Sequence, residues 1–237
     1  MPKYYPIMLD VRGREAIVVG GDRIAAEKAA SLSASGARVT VLSSTFCPEL
    51  LLLAEAKQVT LQRKTYESGD LAGAFVAVAV AESPEFVEAI WAETQKNGQL
   101  VNIVDMPSYC TFILPSILRR EQLTIAVSTE GASPGLAKRI RQELEAHFPL
   151  AYGPYLRLAA LARTCLRDSG VSYERRDSFF ADFFTSDVLA HLVKGDSAEA
   201  TTTTADLLRR YGVAVTASTL HEGLEDEEEK EYGYRGA

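Results

Sequence analysis

Short apolar runs alternate with segments of helical spacing over the first 105 residues. The runs that predict strands are Ala16–Val19, Arg38–Leu42, Val59–Gln62, Phe75–Val80 and Val101–Val104. Helices are predicted between them over Ile24–Ser35, Cys47–Ala56 and Pro84–Asn97. Strands that alternate with helices of this length form a parallel sheet with right-handed crossovers. The pattern therefore predicts an α/β domain of the nucleotide-binding type.

The pattern changes after residue 105. Phe112–Leu114 and Leu123–Ser128 resemble strands, but no helix of normal length separates them. Ser133-Pro134 is typical of a helix start, with a hydroxyl cap followed by proline in the first turn. From Pro154 to Tyr211 the chain is predicted to be helical, with breaks at Gly170, at Gly195 and in the polar run Ala198–Thr204. A mixed segment and a helical domain thus follow the α/β domain.

Charge distribution narrows the choice of partner. The net charge is −7, and residues 222–237 alone carry −5 of it. Such an acidic block predicts a disordered, solvated tail, and a duplex-binding protein would carry the opposite charge. The longest apolar run, at residues 74–81, is far shorter than the ~20 residues that span a bilayer. We therefore expect neither a nucleic-acid partner nor a membrane partner.

Cysteine and histidine usage indicates a reducing compartment and no metal centre. The three cysteines lie far apart, without the paired spacing of a zinc site. The three histidines are isolated from one another and from possible co-ligands. The N-terminus shows no long apolar stretch typical of a secretory signal. We expect a cytoplasmic protein with free thiols.

The first predicted strand runs into a glycine turn. Gly20 and Ala25 fit the first and last positions of the dinucleotide fingerprint G-x-G-x-x-G/A, but Asp22 stands at the middle glycine. Its carboxylate would lie where two phosphates bind. From these residues alone, a βα turn without a ligand remains an alternative to a weakened cofactor site. The second strand ends at Ser43, which could hydrogen-bond a ribose, although no acidic residue stands there.

Asp105 follows the fifth predicted strand. Open α/β sheets bind ligands beyond the carboxyl ends of their strands, so this carboxylate is a candidate general base. A turn or helix-cap role explains the same residue equally well from its position before Met106-Pro107.

A loop rich in hydroxyl groups and glycine, Ser128–Gly135, leads into the next predicted helix. Backbone amides at a helix N-terminus can bind an anion, and Lys138 and Arg139 follow on that helix. The alternative is a helix cap followed by a solvated basic face. The residues alone leave both open.

Several motifs occur in an order that is recognisable as a family pattern. They are Tyr5–Asp10 with Gly13-Arg14, Val18–Gly21, Gly36–Val41, Leu71–Phe75, Val101–Asp105, Cys110–Ser116, Leu123–Thr129, Gly131–Pro134 and Leu136-Ala137. Over roughly residues 3–148 the chain resembles the precorrin-2 dehydrogenase family, which includes the N-terminal module of siroheme synthase. The resemblance implies a Rossmann-like domain at 1–110, a dimerisation segment at 111–148 and a helical domain at 149–220, before the disordered acidic tail at 221–237. It also implies a homodimer.

The resemblance implies an activity as well: NAD-dependent oxidation of precorrin-2 to sirohydrochlorin on the route to siroheme or haem, in some members with insertion of ferrous iron. The family's catalytic aspartate falls on Asp105. The serine of its substrate loop falls on Ser128, and Lys138 and Arg139 acquire a polycarboxylate tetrapyrrole as a ligand. The residues expected to bind NAD are Gly20, Gly21, Asp22, Arg23, Ile24, Ser43 and Ala81.

The departures from the family pattern all lie on the cofactor side. The family usually has a third glycine where this chain has Asp22, a Thr-Asp pair at Ala81-Glu82 and a polar residue at Val87. We therefore expect weak NAD binding. Two alternatives to a dehydrogenase follow: a sirohydrochlorin ferrochelatase with feeble oxidation, and a non-catalytic tetrapyrrole-binding protein.

Overall fold

The computed structural model describes residues 3–80 and 83–233, with side chains as far as Glu225. The chain folds as two compact units. One ends at Leu114 and takes in Glu130–Ala132, and the other contains Pro115–Thr129 and the chain from Ser133 onward. Most of the segment predicted at 111–148 groups with the C-terminal helices.

The first unit is a parallel sheet covered by helices. Its strands are β1 (Glu15–Val19), β2 (Arg38–Ser43), β3 (Thr60–Arg63), β4 (Val76–Ala79) and β5 (Leu100–Ile103), in the spatial order β3-β2-β1-β4-β5. Its helices are α1 (Arg23–Ala34), α2 (Pro48–Glu55) and α3 (Pro84–Asn97). This order, with β1 paired to both β2 and β4, is that of the first five strands of the classic Rossmann order 3-2-1-4-5-6. The predicted fold class is confirmed.

Successive side chains of each strand point to opposite faces of the sheet, so the core is divided between the two faces. Val18 of β1 packs on one face among the small residues Ala25 and Ala29 of α1. The next residue, Val19, packs on the other face with Val87 and Ile90 of α3. Because both faces are covered, every residue of β4 is buried, as its apolar sequence predicts.

A loop rather than a helix connects β3 to β4, and a buried carboxylate organises it. Glu93 of α3 is only 7% exposed. It accepts hydrogen bonds from the hydroxyl of Tyr66 at 2.6 Å and from the amides of Gly69 and Leu71 at 2.9 Å. Burial, with the Glu93 carboxylate next in importance, raises the pKa of Tyr66 well above its usual value, so its hydroxyl keeps the proton that it donates.

The second unit joins a hairpin to a bundle of helices. Strands β6 (Ser116–Arg120) and β7 (Leu123–Val127) pair antiparallel and precede α4 (Pro134–His147). The remaining helices are α5 (Tyr152–Asp168), α6 (Tyr173–Thr185), α7 (Val188–Val193), α8 (Ser197–Arg210) and α9 (Ala217–Gly233). Their core is built around Leu158, Leu166, Phe179, Phe183 and Leu208, none of which is solvent-exposed. In the described part of the chain, no helix has the length and apolarity needed to cross a membrane.

Two local predictions are wrong. Phe112–Leu114 is not a strand, and the hairpin begins only at Ser116. The polar run Ala198–Thr204 does not interrupt the helices but lies within α8. Its threonines fit a helix because their hydroxyls bond to carbonyls one turn earlier: Thr201 to Ser197 at 3.0 Å and Thr204 to Ala200 at 2.8 Å.

The C-terminal region also differs from the expectation of a disordered segment from residue 221. Helix α9 runs through this boundary, from Ala217 to Gly233. Leu220 and Leu224, one turn apart, are 2% and 5% exposed and belong to the core of the helical bundle. Two apolar residues at helical spacing are therefore enough to dock the start of a segment whose composition is acidic.

Candidate cofactor and catalytic site

The turn between β1 and α1 brings the backbone at Gly20 close to neighbouring side chains. Gly20 has φ +139°, and a Cβ there would lie 3.1 Å from the Cβ of Val80 and 3.3 Å from the Cβ of Ala25. Its amide donates to the carbonyl of Leu42 at 2.9 Å. Only glycine adopts this backbone without strain, so the first position of the fingerprint has its expected geometry.

Gly21 brings this turn against the end of β2. A Cβ on Gly21 would lie 1.8 Å from the carbonyl oxygen of Thr45 and 2.5 Å from Oγ of Ser43. The carbonyl of Gly21 also accepts a hydrogen bond from the amide of Cys47 at 2.7 Å. Two segments predicted to bind the cofactor, the glycine turn and Ser43, are therefore in direct contact.

Asp22 is the N-cap of α1. Its Oδ1 accepts a hydrogen bond from the amide of Ala25 at 2.9 Å, and its backbone is extended at φ −91° and ψ −176°. The first intrahelical bond runs from Ala26 to the carbonyl of Asp22, so the amides of Arg23 and Ile24 precede the hydrogen-bonded ladder. These two amides are where a helix N-terminus binds phosphate. The turn therefore fits a dinucleotide, although it also places a carboxylate at the same helix end.

The other residues predicted to bind the cofactor have the following surroundings. Arg23 is exposed and pairs with Glu49 of α2 at 2.9 Å, so it does not neutralise Asp22. Ile24 is 40% exposed on the first turn of α1. Ser43 is half-buried, and its Oγ accepts a hydrogen bond from the amide of Thr45 at 3.4 Å. Ala81, the remaining residue predicted to bind the cofactor, lies outside the described residues.

Asp105 occupies a strained turn at the carboxyl end of β5. It is exposed and has φ +60°, in the left-handed region. This conformation costs most residues roughly 1–2 kcal/mol, and aspartate tolerates it better than most. The amide of Met106 donates to the carbonyl of Ile103 at 3.1 Å and closes the turn. The structure thus places this carboxylate in solvent, on the sheet edge where open α/β folds bind ligands.

The outer edge of β5 is closed by Cys110 and Thr111 rather than by another strand of the described chain. On this edge, the amide of Val101 donates to the hydroxyl of Thr111 at 2.8 Å, and the amide of Thr111 donates to the carbonyl of Val101 at 2.9 Å. The amide of Ile103 donates to Sγ of Cys110 at 3.2 Å, and the thiol lies 3.3 Å from the carbonyl of Ile103. Every outward-facing backbone group of Val101 and Ile103 is therefore satisfied.

We call Cys110, Thr111 and the Asn102 side chain the edge clasp. Asn102 completes it by donating from Nδ2 to the carbonyl of Phe112 at 3.0 Å. Burial raises the pKa of the Cys110 thiol, which is therefore protonated at neutral pH and can donate as well as accept. Sequence reasoning missed this role. The sequence does contain a signal for this role, the pair Cys110-Thr111. These two residues have short polar side chains and follow the strand far enough along the chain for it to fold back on the strand.

The residues predicted to bind the substrate lie on the second unit. Ser128 is exposed just after β7. In the loop that follows, Oγ1 of Thr129 accepts from the amide of Ser133 at 3.0 Å, and Oγ of Ser133 accepts from the amide of Leu136 at 3.3 Å. The helix-cap interpretation is thus confirmed for Ser133.

The two basic residues of α4 differ in their surroundings. Lys138 and Arg139 are both exposed, and Arg139 pairs with Glu143 one turn later at 3.0 Å. A pair this exposed contributes little to stability and can open to meet an anion. Among the described residues, no group of three or more His, Cys, Asp or Glu side chains could hold a metal ion.

Comparison with protein families divides the chain in the same way. Residues 7–116 match a family described as putative NAD(P)-binding. Residues 120–147 match a family described as the central part of a sirohaem biosynthesis protein. The first unit is therefore an NAD(P)-binding domain, in agreement with the cofactor predicted from the sequence.

Several individual proteins are similar to this chain. A siroheme synthase of Nitrosococcus oceani is 31% identical over 84% of this chain and 42% of its own length. One from Nitrosomonas europaea is 37% identical over 75% of this chain and 38% of its own length, so the chain spans about two fifths of these relatives. A solved structure titled SirC, precorrin-2 dehydrogenase, is 27% identical with a TM-score of 0.72 and covers 88% of this chain and 99% of its own.

Proposed function

Because the chain belongs to the family of precorrin-2 dehydrogenases and siroheme synthase N-terminal modules, we propose that it oxidises precorrin-2 to sirohydrochlorin with NAD. One observation carries the proposal: an exposed carboxylate, Asp105, held at φ +60° at the carboxyl end of β5 in an NAD(P)-binding domain. A strained residue of this kind persists where the surrounding structure imposes it, and such residues cluster at active sites.

Different residues bind the cofactor and transfer the proton in this proposal. The amides of Arg23 and Ile24 would hold the pyrophosphate, and Gly20 and Gly21 would let the backbone approach it. Bound NAD supplies the acceptor for the hydride that leaves the macrocycle. Asp105 takes the accompanying proton as a general base, so that two hydrogens leave precorrin-2 and a new double bond forms.

Asp22 sets the strength of cofactor binding in this proposal. Its carboxylate bonds to the amide of Ala25, within one helical turn of the amides that would hold the phosphates. Two like charges ~4 Å apart repel by about 1 kcal/mol in water and by more where water is excluded. The helix end therefore binds NAD, but less tightly than a turn with glycine at this position.

The tetrapyrrole and the oligomeric state complete the proposal. Lys138 and Arg139 bind carboxylates of the substrate, and Ser128 belongs to the substrate loop. We place the protein in the cytoplasm as a homodimer whose interface includes Phe112–Ser128. The supporting observation is the β6–β7 hairpin: among the residues that the structure describes, each of its strands pairs only with the other, and Ile117 is 38% exposed.

Replacement of Asp105 tests the catalytic assignment. In anaerobic assays with precorrin-2 and NAD, Asp105→Asn is expected to lower kcat by about 10²–10⁴-fold, the usual contribution of a general acid or base. Asparagine also tolerates a left-handed backbone, so the melting temperature and the calorimetric affinity for NAD should stay near wild type. A variant that keeps more than half of the wild-type kcat would remove Asp105 from the mechanism.

The Asp22 cap favours one second candidate, a sirohydrochlorin ferrochelatase with weak oxidation. A cap that repels phosphate weakens the cofactor site and leaves Asp105 intact to accept pyrrole protons as ferrous iron, a substrate, enters the ring. Anaerobic incubation with sirohydrochlorin and ferrous iron, without NAD, distinguishes the two. Formation of siroheme at a rate above that of precorrin-2 oxidation would favour the chelatase.

A further inference from the structure

The edge clasp reaches beyond β5 into the turn that carries Asp105. Besides its two interactions with Ile103, the thiol of Cys110 lies 3.3 Å from the carbonyl oxygen of Met106. Asp105 lies between these two residues. The thiol therefore bridges the two ends of the turn, one residue after the aspartate and two residues before it.

This bridge explains how a non-glycine residue stays at φ +60° on the surface. Within the turn, one backbone hydrogen bond runs from the amide of Met106 to the carbonyl of Ile103 at 3.1 Å. On either side of Asp105, the amide of Val104 donates to Ala79 and the carbonyl of Met106 accepts from Tyr109, both at 2.9 Å. The thiol adds a second tie across the same span. Because a thiol is both donor and acceptor, one side chain can serve the amide of Ile103 and a carbonyl at the same time.

We propose that Cys110 is a positioning residue for the dehydrogenation, holding the Asp105 turn in its left-handed conformation through Ile103 and Met106. The inference rests on the proposed function, since it assumes that Asp105 is the general base. Cys110 itself takes no part in proton or hydride transfer. It fixes where the carboxylate points, and an error of about 1 Å in the placement of a catalytic group can lower a rate by 10²-fold.

Thr111 provides a matched control within the same clasp. Its side chain satisfies the edge of β5 as Cys110 does, but at Val101, four residues before Asp105. Loss of either side chain leaves a backbone amide of β5 without its acceptor, so both Cys110→Ala and Thr111→Val should lower the melting temperature. Only the loss of Cys110 releases the turn. A merely structural role would make the two variants alike in activity.

The experiment compares Cys110→Ala, Cys110→Ser and Thr111→Val with wild type, well below their melting temperatures. For Cys110→Ala we expect kcat for precorrin-2 to fall at least about tenfold while the KM for NAD stays unchanged, because the loss concerns orientation at the reacting centre. The acidic limb of its pH–rate profile should also move. Cys110→Ser should stay within about threefold of wild type, since a hydroxyl also donates and accepts, and Thr111→Val should keep wild-type kcat.

Each outcome supports or overturns the positioning role of Cys110. Equal kcat values for Cys110→Ala and Thr111→Val would overturn the inference, as would failure of serine to restore the rate. The Asp105→Asn variant, measured alongside, separates the two hypotheses. If it is as active as wild type, the proposed function has failed. If it is inactive and Cys110→Ala is unimpaired, only the positioning role has failed.

A readout without turnover keeps the test independent of activity. The amide resonance of Asp105 in a ¹⁵N-labelled protein reports the conformation of the turn. We expect it to shift or broaden in Cys110→Ala and to keep its wild-type position in Thr111→Val. An unmoved resonance in Cys110→Ala would show that the turn holds its shape without the thiol.

Discussion

Asp22 shows how one side chain can serve folding and oppose binding. As an N-cap it satisfies the amide of Ala25, and loss of a cap of this kind typically costs about 1 kcal/mol. As an anion it occupies the helix end at which a dinucleotide places its phosphates. Stability and cofactor affinity therefore make opposite demands on this residue.

Removal of the charge without the cap separates the two roles. Asparagine caps helices about as well as aspartate, so Asp22→Asn should keep the wild-type melting temperature. Its affinity for NAD should rise by about tenfold, equivalent to ~1.4 kcal/mol. Calorimetric titration measures the affinity, with Asp22→Gly as the matched variant that loses the cap as well. If Asp22→Asn binds NAD no better than wild type, the carboxylate does not oppose the phosphates.

The residues of the site were only partly predictable. Gly20 and Asp105 could be found because fingerprint spacing and strand ends are visible in a sequence. The conformation of Asp105 and the tie from Cys110 could not, because they depend on side chains that meet only after the chain folds back on β5. The sequence analysis missed the cap at Asp22, although aspartate before a helical segment is a common N-cap.

The predictions of helices and strands were correct where burial imposes a regular spacing on the apolar residues. The all-apolar β4 and the helix Pro84–Asn97 follow directly from the pattern of their residues. They failed where side chains replace backbone partners. Phe112–Leu114 comes directly after Cys110 and Thr111, which already satisfy the edge of β5, and the threonines of α8 bond to their own helix.

A close contact in the second unit gives a prediction about an element junction. A Cβ on Gly153 of α5 would lie 2.3 Å from Oε1 of Glu121, at the β6–β7 turn. Glu121 could move aside only by disturbing its 3.3 Å pair with Arg157, whose side chain is 6% exposed. Gly153→Ala should therefore lower the free energy of unfolding by about 1–3 kcal/mol.

Gly135→Ala is the matched control, because a Cβ there meets nothing within 4 Å in α4. Its free energy of unfolding should be unchanged or slightly higher, since alanine restricts the unfolded chain. Chemical denaturation of both variants measures the difference. Equal stabilities would mean that Glu121 shifts at no cost and that its pair with Arg157 does not hold the hairpin to α5.

Helix α9 reverses the expectation for the acidic end of the chain. Truncation after His221 removes Leu224, which is 5% exposed in the bundle core. Loss of a buried leucine typically costs about 2–5 kcal/mol, so the truncated chain should melt at a clearly lower temperature. Leu224→Ala in the full-length chain should reproduce most of the loss. An unchanged melting temperature after truncation would restore the interpretation that this segment buries nothing.

The sequence was sufficient to predict that an α/β unit precedes a helical unit. The homodimer is still a prediction. We expect a dimer at micromolar concentration in sedimentation velocity. Ile117→Glu should weaken it, because the charge lies on the proposed interface, whereas Leu150→Glu should not, because Leu150 is 78% exposed outside that segment. A wild-type monomer, or equal effects of the two substitutions, would contradict the proposed interface.

Anaerobic incubation of the protein with precorrin-2, with and without NAD, measures the proposed oxidation itself through the absorbance of sirohydrochlorin and NADH. We expect sirohydrochlorin to appear only when NAD is present and NADH to form in equal amount, because the hydride has one acceptor. Both signals should disappear with Asp105→Asn. Formation of sirohydrochlorin at the same rate without NAD, or none at millimolar NAD with a correctly folded protein, would contradict the proposed oxidation.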